Sequence, residues 1–219
     1  MQSRGLLSEE LNKLRGELAL MAARVDEDLG KALAVVGSGS KELAKEVKAS
    51  GKLVDNLQNK IEDMALVLIA TQQPVARDLR ELISVFKITS SLERIGDYGV
   101  HLAKNAVKLS GKPPFRSIER IELMVITGQK MLKAAFSAYL SQNADAAREA
   151  AALDYQIDDE HKALTEEMLK LMKKKPDLVK AAARLLKLSG FMERMGDHIT
   201  NICEGIIFMI EGRHEELND

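Results

Sequence analysis

The sequence predicts an all-α protein built as two tandem three-helix bundles, six long helices in all. Three observations carry that expectation. Apolar residues recur every three to four positions almost throughout the 219-residue chain, the period of an amphipathic helix. The composition favours helix: 46% of residues are hydrophobic but only 4% aromatic, and four prolines are too few for a many-turned β fold. The chain also states one motif twice, 100 residues apart. Glu93-Arg94-Ile95-Gly96-Asp97 returns as Glu193-Arg194-Met195-Gly196-Asp197, and Lys87-Ile88-Thr89 returns as Lys187-Leu188-Ser189. A repeat of that length marks two copies of one structural unit.

The elements follow in order. Leu11, Leu14, Leu18, Met21, Val25 and Leu29 form the apolar stripe of a first helix, which Gly37-Ser38-Gly39-Ser40 ends. Ser40 is the expected N-cap of a second helix, from about residue 41 to 71. Pro74 marks the next turn, and a third helix runs to about residue 110. Gly111-Lys112-Pro113-Pro114 is the strongest punctuation in the chain. It divides a first bundle, 1–112, from a second, 113–219. The second half repeats the plan, with helices over about 117–141 and 144–174 and a last helix opened by Pro176 and ended near Gly212. Helices of about 30 residues are about 45 Å long, and short connections make neighbours antiparallel. The polar tail after Gly212 is expected to fray.

Composition excludes several function classes. The net charge is −1 with both signs interspersed, unlike the basic footprint of a nucleic-acid binder. No run of about 18 apolar residues exists to cross a membrane. The single cysteine, Cys203, cannot form an internal disulfide and sits on an apolar stretch, the pattern of an inert buried thiol. A cytoplasmic location is the expectation. No Walker loop, paired-glycine fingerprint or Ser/His/Asp set stands in a recognisable context. The ten methionines read as core filler.

The acids are the informative residues. Each repeat places Glu and Asp four apart, on one face of a helix. Two carboxylates that close repel unless protons, a cation or a basic side chain relieve them. Asp154 and Asp158 are also four apart. Folding a hairpin at Lys175-Pro176 brings Asp154, Asp158, Glu193 and Asp197 to one axial level, the oxygen-rich donor set of a hard cation. The same arithmetic about Pro74 pairs positions 51 and 55 with Glu93 and Asp97. Position 51 is Gly, so the first site offers Asp55, Glu93 and Asp97, with His101 a candidate substitute. A lone acid pair is ordinary solvated surface; recurrence and convergence leave metal and surface both open. His161, three residues past Asp158, and the Glu211/His214 pair are weaker candidates.

The run Gln72-Gln73-Pro74-Val75-Ala76-Arg77-Asp78-Leu79-Arg80, with Leu92 to Asp97 and Met192 to His198, resembles the PhoU family of phosphate-transport regulators over nearly the whole chain. The resemblance implies two bundles related by a pseudo-twofold axis. It implies multinuclear metal sites, iron or zinc, with magnesium, manganese or calcium as alternatives. Carried over, the metal positions are Asp55, Glu93 and Asp97 in one half and Asp154, Asp158, Glu193 and Asp197 in the other. The family pattern has an acid where this chain has Gly51. The implied role is non-enzymatic: negative regulation of phosphate uptake and of the phosphate-starvation response, as an adaptor between the phosphate-specific ABC transporter and a phosphate-sensing histidine kinase, in a homodimer. The competing reading is a metal-dependent phosphohydrolase that uses the carboxylate clusters as a two-metal clamp.

Overall fold

The computed structural model describes residues 2–109 and 117–218. Among these no strand occurs, and the helices are α1 (Gln2–Ser38), α2 (Lys41–Gln72), α3 (Ala76–Leu109), α4 (Ile118–Ser141), α5 (Ala144–Ala151), α6 (Asp154–Lys174) and α7 (Val179–Glu211). The expected division at 112/113 lies outside the described residues. Ser40 caps α2 as its position predicts, its hydroxyl accepting from the Leu43 N–H at 3.2 Å.

The apolar stripe read in α1 is the face that packs: Leu14, Leu18, Met21, Val25 and Leu29 are fully buried. α1, α2 and α3 pack on one another, as do α4, the α5–α6 pair and α7. The halves are not merely tethered. α3 lies against α7 in the most extensive helix pairing of the molecule, α1 lies against α4, and one apolar core runs through both halves.

Three features differ from expectation. The middle helix of the second half breaks at Ala152 and Leu153, so that Asp154 opens α6 instead of sitting inside a longer helix. Neither Pro nor Gly causes the break. Half-buried Leu153 packs on the core, and α5 turns its buried alanines, Ala147 and Ala150, toward α4 and α7, so tertiary packing overrides helix propensity. Pro176 opens a single 3₁₀ turn, Pro176–Leu178, and α7 begins after it. The tail is not frayed. Arg148 of α5 holds Glu211 at 2.9 Å and Glu215 at 2.8 Å, and Asn218 reaches back to the Asp197 carbonyl at 3.4 Å, so the chain after Gly212 folds along α7.

Candidate metal centre

Glycine sets the spacing of each hairpin. In the second, α6 lies so close to Gly196 that a Cβ there would collide with Asp154 Oδ1. Thr200 Oγ1 donates to Asp154 Oδ2 at 3.4 Å, and His161 Nδ1 meets Ser189 Oγ at 3.0 Å. These contacts put the hinge at Lys175-Pro176, where the sequence placed it. In the first hairpin, Gly96 backs onto Val54 instead, 3.6 Å from where a Cβ would stand, and Gly51 backs onto Val100 at 3.3 Å.

That register corrects the reading of Gly51. The place corresponding to Asp154 is held by Val54, buried against the glycine of its own repeat, and Gly51 lies one turn away. The hairpin hinges slightly beyond Pro74, because Gln73 and Ala76 take left-handed backbone and the proline sits inside the turn. His101 does not substitute for a missing acid. Its exposed ring stacks on Phe191 of α7, centroids 4.8 Å apart, and so faces the other bundle.

The electrostatics show which acids stand together. Burial pushes the Asp154 carboxyl up to about 7, and the neighbouring charges of Asp158, Asp197 and Glu193 add to the rise. Asp197 is raised by burial, then by Glu193 and Asp158. Asp154 and Asp197 therefore stand near both Asp158 and Glu193. In the first half Glu93 is raised by burial and by Asp97, with a smaller contribution from exposed Asp55, while Arg94, 3.6 Å away, opposes it. Between the two clusters stand Tyr98 and His198, ring centroids 5.8 Å apart. The Tyr98 hydroxyl is raised by burial and senses Arg194, Arg94, Asp197 and Glu193, so both clusters border the same stretch of the α3–α7 seam.

The donor chemistry suits a hard cation: carboxylates only, with Asp154 Oδ1 buried and without a hydrogen-bond partner. Among the described residues, however, no group of three or more His, Cys, Asp or Glu side chains is in place to hold an ion. The remaining candidates are engaged elsewhere. Glu211 binds Arg148 and Arg213, and His214 stacks on Phe208 at 4.3 Å. Cys203 is buried, and burial pushes its thiol up to about 12, as an inert core thiol requires.

Sequence reasoning missed Thr200 and Val54. Thr200 stands one turn past Asp197, on the face its hydroxyl needs to reach Asp154, and was legible from spacing alone. Val54 is apolar, so a search for acids passes over it.

Comparison with known proteins supports the same architecture. The PhoU domain model matches twice, over residues 18–106 and 121–206. A phosphate-specific transport system accessory protein PhoU homolog from Clostridium acetobutylicum is 30% identical over 218 residues, covering 99% of this chain and 100% of the relative. A namesake from Caulobacter vibrioides is 35% identical, covering 95% and 90%. Among solved structures, the phosphate transport system regulatory protein PhoU from Streptococcus pneumoniae aligns with a TM-score of 0.90 at 29% identity, over 96% of this chain and 99% of that one. PhoU from Pseudomonas aeruginosa aligns at 0.89 and 28%, over 94% and 99%. Among the described residues no helix is long and apolar enough to cross a membrane.

Proposed function

The chain belongs to the PhoU family, and from that premise we propose that it is a non-enzymatic accessory protein of phosphate transport. In this reading it damps phosphate uptake and helps keep the starvation response off, acting in the cytoplasm as a homodimer between the phosphate-specific ABC transporter and a sensor kinase. The observation that carries the proposal is the family's domain matched in both halves, together with full-length relatives named as accessory proteins of that transport system.

The same reading takes Asp154, Asp158, Glu193 and Asp197, and Asp55, Glu93 and Asp97, as metal ligands. An ion bound there would offset the mutual repulsion of the carboxylates and pull each helix hairpin together; iron or zinc is the expectation. Support comes from the convergence of the four second-half acids and the orphaned Asp154 oxygen. The chain's own part is to hold these oxygens at one level and to fix Asp154 by the Thr200 hydroxyl.

Two experiments test the proposal. Cells lacking the protein should express starvation-response genes at high phosphate and recover repression when it is restored; an unchanged response contradicts the regulatory role. The purified protein, incubated with phosphate esters and added zinc, iron, manganese or magnesium, should release no phosphate above background. Turnover that disappears with Glu193→Ala would establish the phosphohydrolase reading instead.

A further inference from the structure

We propose that one end of the α3–α7 seam, carrying Lys104, Lys108, Arg184 and Lys187, is a docking surface for an acidic, extended segment of a partner protein. The sequence segregates charge there. From Tyr98 to Ser117 no Asp or Glu occurs, while Lys104 and Lys108 lie four apart on α3. From Leu178 to Met192 none occurs either, while Lys180, Arg184 and Lys187 recur at spacings of four and three on α7. Such spacings keep each set on one helix face.

The fold lays these two stripes side by side. His101 stacks on Phe191 at one level, and Arg184 Nη1 donates to the Lys108 carbonyl at 3.3 Å at another. Lys104, Lys108 and Lys187 are exposed and Arg184 is partly so. Among the described residues no carboxylate lies within 4.0 Å of any of the four cations. Elsewhere on the helices some basic side chains of the described residues are paired, as Lys60 is with Glu17 and Lys31 with Glu27, and others are not; what sets this strip apart is that neither run contains an acid. An unbalanced cationic strip of this kind steers and selects an anionic partner.

The opposite end of the same seam shows the form of the occupant. The pseudo-twofold relation puts Glu204, Ser84, Lys87 and Phe208 there in place of Lys104, Arg184, Lys187 and Lys108. On that end lies the chain's own acidic tail, in non-helical conformation. The Leu217 N–H donates to Glu204 Oε1 at 3.0 Å, and the His214 ring lies flat on Phe208. The seam therefore accepts a single extended chain. With Lys104 where Glu204 stands, the other end calls for a chain that presents carboxylates. A membrane surface is the poorer match, because α7 exposes only Val179 among its large apolar side chains and offers no cluster to insert. The inference stands apart from the metal reading, since none of its residues is a proposed ligand.

The test is fluorescence anisotropy of a labelled glutamate-rich dodecapeptide titrated with the full chain at low and high salt. Binding should saturate, weaken as salt rises, and fall about tenfold with Lys104→Glu combined with Lys187→Glu, whereas Lys130→Glu on α4 should change it less than about twofold. If the double reversal lowers the melting temperature, Lys104→Gln with Lys187→Gln should still weaken binding about threefold in a chain of unchanged helicity. No binding at low salt, equal losses at Lys130, or preference for phosphatidylglycerol vesicles or single-stranded DNA over the peptide would overturn the proposal.

Discussion

Gly96 and Gly196 hold the same place in the two repeats, yet they back onto opposite chemistry. Gly96 faces Val54, an apolar side chain in ordinary contact; Gly196 faces Asp154, a carboxylate with one buried oxygen unpartnered. The same backbone has thus been given an apolar contact in one half and a close polar neighbour with an unpartnered oxygen in the other. A half-buried acid beside three other acids lowers the stability of the apo fold, and the proposed cation would relieve it. The first half keeps its acids nearer the surface, and Asp55 is exposed.

The largest expected effect removes one side of the comparison. Glu193→Ala with Asp197→Ala should strip metal from the second half and leave the first half's content unchanged, read by elemental analysis. Unchanged total metal would break the assignment. Next in size is Val54→Asp, which writes the second half's chemistry into the first. Without metal it should cost about 3 kcal/mol, from a lost buried valine and a buried charge, and added zinc or iron should recover part of that in thermal melts. Gly51→Asp, one turn away against Val100, should recover none.

A smaller effect separates the two glycines. Gly196→Ala should turn Asp154 out of its place and weaken metal binding about tenfold, because a methyl cannot share the space with Oδ1. Gly96→Ala meets Val54 at 3.6 Å and should be neutral or stabilising by up to about 1 kcal/mol, since alanine is the better helix former.

The smallest effect is a pH dependence. The fold holds the Asp154 carboxyl at about 7 against 3.8 for an ordinary aspartate, so it favours the protonated form. The contribution to stability is complete below about pH 4, is lost as pH rises from about 4 to 7, and stays lost above that. Metal-free Asp154→Asn should therefore be more stable than the parent at pH 8 by on the order of 1 kcal/mol, allowing for solvent screening of a partly exposed group. The two should converge towards pH 4 in urea unfolding. Equal stability at pH 8 would show that Asp154 carries no burden of burial.

Much of this was legible in the sequence, because helical period and repeat length are local and redundant signals. Leu14, Leu18 and Val25 announce a buried face by spacing alone, and the second hairpin's register followed from Pro176. What was hidden depends on distant partners. The break before Asp154 carries no Pro or Gly and arises from how α5 meets α4 and α7. The tail looked free because its anchor, Arg148, lies more than 60 residues away in sequence. The one-turn displacement of Gly51 arose because Pro74 sits within its turn and the hinge lies just beyond it, a difference that only the pairing of Val54 with Gly96 reveals.

If both acid clusters hold metal as proposed, the second should hold it more tightly, because Val54 stands in the first where the second has Asp154, and a chelator titration with metal counted per chain reads the difference. It would be run on the metal-loaded protein beside two half-site variants, Glu93→Ala with Asp97→Ala and Glu193→Ala with Asp197→Ala. The parent should release metal in two steps. The later step should persist in the variant that keeps Asp154, Asp158, Glu193 and Asp197, and vanish in the other. Release in a single step, or a first-half site that outlasts the second, would show that the two halves do not differ in this way.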